Sequence, residues 1–143
     1  MQELTVFADK LDDLLPKLRE SRRTALEEAG ERLLSTVRGR IGGSGRVQSW
    51  QEQYMGSGGG YTAVRAKAKV EDENDYAVGY VTNALESGHR QQPGRYVPAI
   101  QRKLTRDMVP GKFMYAKTDS DVDRTVQWAA EQIERDMDRL LEE

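Results

Sequence analysis

The chain has no cysteine and a single histidine among its 143 residues. The first absence excludes disulfides and thiolate metal sites. The second leaves a zinc site short of the several nitrogen or sulfur ligands it draws on. Long hydrophobic runs are missing as well: nothing approaches the roughly 18 to 20 apolar residues of a membrane span. The N-terminal "MQELTVFADKLDDLL" has no basic segment ahead of an apolar one. A soluble protein made in the cytoplasm, without membrane contact, is expected.

Catalytic signatures are equally scarce. There is no G-x-S-x-G, and the GSGGG run at 56–60 is followed by a strand pattern and not by Gly-Lys-Ser/Thr, so it is a poor phosphate cradle. "DSDVD" at 119–123 departs from the calcium-loop pattern after its first acids. Glu86 and His89 would face one another on a helix as an acid–base pair, but nothing marks a nucleophile beside them. No catalytic residue, metal or cofactor is therefore expected, and the chain is read as a non-enzyme.

What the chain has in quantity is charge. Charged residues make up 32% and hydrophobic ones only 37%, so its surface is large relative to its core. Either the molecule is elongated or neighbours in an assembly cover part of it. The net charge of −2 conceals two blocks of opposite sign. Residues 88–117 hold seven basic groups and one acid, a balance of +6; residues 119–143 hold three basic groups and nine acids, a balance of −6. Such blocks can be solvated faces or can pair, within one subunit or between neighbours.

Periodicity then supplies a fold. Leu11, Leu14, Leu15, Leu18, Ala25, Leu26, Ala29, Leu33, Val37 and Ile41 recur at helical steps, with Pro16 predicting a break between a short piece near 9–15 and a long helix at about 16–40. Gly42 and Gly43 predict its stop. "YTAVRAKAKV" at 61–70 alternates as a half-buried strand, and "YAVGYVT" at 76–82 reads as its antiparallel partner. "KFMYAKT" reads as extended. Ser120 and Asp123 form an S-x-x-D cap for a helix over about 120–141, whose apolar stripe is Val122, Val126, Ala129, Ile133, Met137 and Leu140. The expected architecture is α+β: a long N-terminal and a C-terminal helix packed on a small antiparallel sheet. It forms one domain, 1–143, with two long flexible loops at about 42–60 and 89–111, the second with at most a short helix near 98–107.

Trp50 and Tyr54 lie in the first loop, where contact with a partner and folding back onto the sheet both stand open. The second loop is basic and, with Tyr96, Phe113 and Tyr115, has the ingredients of a nucleic-acid surface. The acidic terminal helix and negative net charge oppose that reading.

"LESGHRQQPGRYVPAIQRKLTRDMVPGKFMYAKTDSDVD" resembles the tail-component family of long-tailed bacteriophages and prophages, also described as minor capsid, neck or tail-completion proteins. The matching residues are Leu85, Glu86, Gly88, His89 and Arg90, then Val109, Gly111, Phe113 and Met114. "LPKLRESRRTALEEAGERLLSTVRGRI" is similar to the family's long first helix, while the T-G-x-L-x-x-S-I segment that follows in the family stands here only as "SGRVQSWQEQY". The resemblance implies a virion protein of the head–tail junction, a homo-oligomeric and hexameric ring with neck, tail-tube or head-closure proteins as neighbours. It implies docking through Trp50, Tyr54, His89, Arg90, Arg95, Tyr96, Lys112 and Phe113. Leu85, Glu86, Gly88, Val109, Gly111 and Met114 would be structural. Tail-terminator and head-closure roles, and nucleic-acid binding through 89–117, are the alternatives.

Overall fold

A computed structural model describes residues 2–43, 45–71, 73, 77–91, 93–98 and 101–142. The elements are α1 (Gln2–Ile41), α2 (Arg46–Ser49), β1 (Gln51–Met55), β2 (Thr62–Ala66), α3 (Ala77–Ser87), β3 (Gly88–Arg90), β4 (Tyr96–Val97), β5 (Arg102–Lys103), β6 (Met108–Pro110) and α4 (Met114–Glu142). The strands form three two-stranded sheets, β1 with β2, β3 with β6 and β4 with β5. The fold class is α+β, with long helices at both ends of the chain and small antiparallel sheets between them.

The chain divides into two compact units, one of residues 2–35, 53–65 and 120–142, the other of 36–52 and 66–119. In the first, α1 and α4 run antiparallel: Lys10 Nζ donates to Leu141 O at 3.1 Å and Ser21 Oγ to Asp136 Oδ2 at 2.6 Å. Ala25, Ala29 and Ala129 are buried where the helices meet, with Trp128 and Ile133 packed against them. Alanine at these positions lets two backbones approach. The Arg32 guanidinium lies 3.7 Å from the Trp128 ring centre, a cation–π contact that covers the indole. The β1–β2 hairpin grips α1 at Gly30, where a Cβ would overlap the side chains of Gln53 and Thr62. Gln53 Nε2 donates to the helix carbonyl of Glu27 at 2.7 Å.

In the second unit the buried residues are Val37, Ile41, Trp50, Gln51, Val78, Thr82, Met114 and Thr118. Gln51 is fully buried yet satisfied. Its Nε2 donates to Val47 O and Thr82 Oγ1, both at 3.2 Å, and its Oε1 accepts from the Tyr115 hydroxyl. An unpaired amide there would cost about 1–3 kcal/mol.

Several expectations change. Pro16 lies inside a continuous α1. A proline removes one hydrogen bond and crowds one turn, but contacts with α4 on both sides, at Lys10 and Ser21, hold the helix through it. The strand expected at 76–82 is instead α3; Tyr76 lies outside the described residues. Its buried residues, Val78 and Thr82, are four apart, so helical spacing prevails over β-branched propensity. The partner of β2 is β1, within the segment read as a loop, and the strand over 61–70 is limited to Thr62–Ala66. Segment 89–111, read as a flexible loop, holds paired strands; within the range of the short helix allowed near 98–107, Pro98 is in 3₁₀ conformation and 101–107 holds no helix, residues 99 and 100 lying outside the described residues. Finally, "KFMYAKT" is not extended. α4 begins at Met114, six residues before the expected cap at Ser120, because its start is capped by a residue distant in sequence.

Candidate functional site

Residues 85–90 and 109–114 come together in the second unit as a single junction. α3 ends at Ser87, and Gly88 takes φ +84, a conformation costly for other residues. β3 then pairs with β6 in the register Gly88↔Pro110, His89↔Val109, Arg90↔Met108. The approach is close: a Cβ on Gly88 would lie 2.5 Å from Val109 O, and one on Gly111 would overlap Glu86 O. Lys112 N–H donates to Leu85 O at 2.7 Å and Phe113 N–H to Glu86 O at 3.1 Å. Met114, fully buried, starts α4.

Glu86 completes the junction. Its Oε2 accepts the Tyr115 N–H and its Oε1 the Ala116 N–H, each at 2.9 Å. A helix leaves its first N–H groups without partners, and a carboxylate there is favoured by hydrogen bonding and by the helix dipole. Glu86 is thus a helix cap supplied from another helix, and both its oxygens are occupied by that duty. Lys112 acts similarly at the other kind of helix end, its Nζ donating to Ile41 O at the C-terminus of α1 at 2.5 Å.

Beyond this junction the chain continues outward as a two-stranded ribbon. Gln91 N–H donates to Asp107 O (2.9 Å), Gly94 N–H to Leu104 O (2.7 Å) and Leu104 N–H to Arg95 O (2.8 Å). β4 pairs with β5 in the register Tyr96↔Lys103 and Val97↔Arg102. Arg90, Arg95, Arg102, Lys103 and Arg106 are exposed, as are Tyr96 and Met108. None of the five cationic side chains has a hydrogen-bond or ion-pair partner among the described residues.

The expected interface residues thus fall in different settings. Arg90, Arg95 and Tyr96 lie on the exposed ribbon, and Phe113 is exposed beside the junction with a positive φ of 49°. Lys112 is also exposed, although its amino group is engaged. His89 is half-buried, and its Nδ1 is enclosed with no partner among the described residues. Trp50 is only 5% exposed, with the Arg46 guanidinium 5.7 Å from its ring centre. Tyr54 belongs to the first unit and lies under the Arg65 guanidinium at 4.2 Å. All six residues expected to be structural meet at the junction. Sequence reasoning missed Gln51, and Tyr115, read as an aromatic of a nucleic-acid surface, is half-buried with its hydroxyl donating to Gln51 64 positions away; no local pattern marks such a pair.

Among the described residues, no three His, Asp or Glu side chains are placed to hold a metal ion, and no helix is long and apolar enough to cross a membrane. Compared with protein-family models, curated proteins and solved structures, the chain finds no match.

Proposed function

We propose that the chain is a structural subunit of the head–tail junction of a long-tailed bacteriophage or prophage, forming a ring that completes the tail or joins it to the head. One observation carries this reading. The two stretches on which the family resemblance rests, "LESGHR" and "VPGKFM", form one junction whose conspicuous polar residue, Glu86, is used up as a helix cap. The carboxylate that looks most like chemistry therefore serves the scaffold. Arg90, Arg95, Tyr96 and Phe113 are left on exposed surface for contact. On this reading the ring is hexameric in the virion, its neighbours are neck and tail-tube or head-closure proteins, and the chain has no catalytic role.

The test is removal of the gene from the phage or prophage that carries it, followed by electron microscopy of lysates. DNA-filled heads beside normal detached tails are the expected result. Tails of abnormal length would move the role to terminator, and heads leaking DNA would move it to closure. Intact virions at normal titre would overturn the reading.

A second reading, a nucleic-acid-binding ribbon, draws on the exposed cations and Tyr96. Retention of DNA at physiological salt would favour it. Binding lost by that point would reflect charge attraction alone.

A further inference from the structure

Two exposed surfaces of opposite charge lie on this chain. The first is the ribbon β3–β6/β4–β5, with one acid, Asp107, and five cations that have no partner among the described residues. Its short strands expose most of their side chains, a poor basis for stability in a two-stranded ribbon alone. The second is the outer face of α4. Asp123, Glu131, Glu134, Asp138 and Glu142 are exposed and, with Gln127, follow one another at steps of three and four. That spacing places them on one stripe of the helix.

The arginines of α4 do not neutralise this stripe uniformly. Arg124 pairs with Asp121 at 3.5 Å and Arg139 with Asp136 at 3.3 Å. Asp123, Glu134, Asp138 and Glu142 have no ion-pair partner among the described residues. At a helical rise of 1.5 Å per residue the stripe from Asp123 to Glu142 is about 28 Å long.

We infer that the ribbon of one copy docks along the acidic face of α4 of a second copy. The inference rests on the ring reading above and names the contact that would build the ring. Because every copy carries both surfaces and they differ, the contact is head-to-tail; it propagates and closes when the rotation between copies closes. Tyr96 and Met108, both about half exposed, give the ribbon apolar surface amid its charges. Charge complementarity of this kind sets register and speeds encounter, and it weakens with salt.

The experiment is sedimentation velocity of the full chain over a range of concentration and ionic strength. It compares the native chain with a ribbon reversal (Arg102→Glu with Lys103→Glu), a helix reversal (Glu134→Lys with Asp138→Lys) and the chain carrying all four changes. Circular dichroism checks each fold. We expect native association that falls with salt, about tenfold or greater weakening in each reversal, and recovery in the fourfold variant, since like charges repel and exchanged charges attract again. Mixing the two reversals is expected to restore association with the two chains alternating, because each variant's ribbon then meets the complementary helix of the other while its own self-contact stays repulsive.

A ribbon reversal that associates as the native chain does would overturn the contact while leaving the ring reading in place. A native chain that stays monomeric at low ionic strength would overturn it too. DNA retained at physiological salt and lost in the ribbon reversal would assign the ribbon to nucleic acid instead. Conversely, recovery in the fourfold variant combined with intact virions after gene removal would keep the contact and remove the neck role.

Discussion

Glu86 Oε2 accepts the N–H of Tyr115 at 2.9 Å, and that bond places the end of α3 against the start of α4. With the parallel bond from Ala116 it supplies the cap that α4 lacks locally. Glu86→Ala is expected to cost about 1–2 kcal/mol, the range for losing a good N-cap. Glu86→Gln, which keeps one acceptor oxygen, should cost less. Urea denaturation of the three chains decides it, and an alanine variant as stable as the native chain would remove the capping role.

Gly88 and Gly94 have nearly the same backbone conformation, φ +84 and +82, in different surroundings. Nothing lies within 4 Å of a Cβ built on Gly94, whereas one on Gly88 meets the Val109 carbonyl. Gly94→Ala should therefore cost only the left-handed conformation, roughly 1–2 kcal/mol. Gly88→Ala should cost roughly 3 kcal/mol or more, since backbone must also move. Equal losses in thermal or urea unfolding would contradict the close approach of the two strands.

Tyr115→Phe leaves Gln51 Oε1 buried without its donor, with an expected loss of about 1–3 kcal/mol. Combined with Gln51→Ala in a double-mutant cycle, the pair should show a coupling of at least about 0.5 kcal/mol. Additive losses would mean that each side chain acts through its other contacts.

Gly30 reverses a general rule. In a helix interior, Gly→Ala usually stabilises by roughly 0.5–1 kcal/mol. Here the new methyl would overlap Gln53 and Thr62, so Gly30→Ala is expected to destabilise. Adding Thr62→Ala should recover part of the loss. A stabilised single variant, measured by thermal unfolding, would show that the hairpin gives way easily.

The parts of this fold that were legible in the sequence are those with local causes. Gly42 follows Ile41 with φ +64 and ends α1 where the glycine pair predicts it. Of the stripe expected on α4, Ala129 and Leu140 are buried and Ile133 packs against the core, whereas Val126 and Met137 are exposed. The hidden parts have distant causes. Nothing near Met114 announces a helix start, because the cap is Glu86. The β-branched residues of "AVGYVT" mask a helical spacing that tertiary contacts make decisive. The strands of the ribbon are two or three residues long, too short for any period to register. The junction residues were legible only as motif letters; their geometry shows what Glu86 and the two glycines are for.

The close approach of Gly88 and Gly111 has an architectural consequence. Within the second unit the chain leaves the junction at Gly88 and returns to it at Gly111, two backbones in close contact, so the ribbon between them is a graft on a finished stem. Closing a loop of a different length between the same two points changes the entropy only slowly with length. The ribbon can therefore be lengthened, shortened or exchanged, with its charges rewritten, while the hand-over from α3 to α4 keeps its caps and its packing.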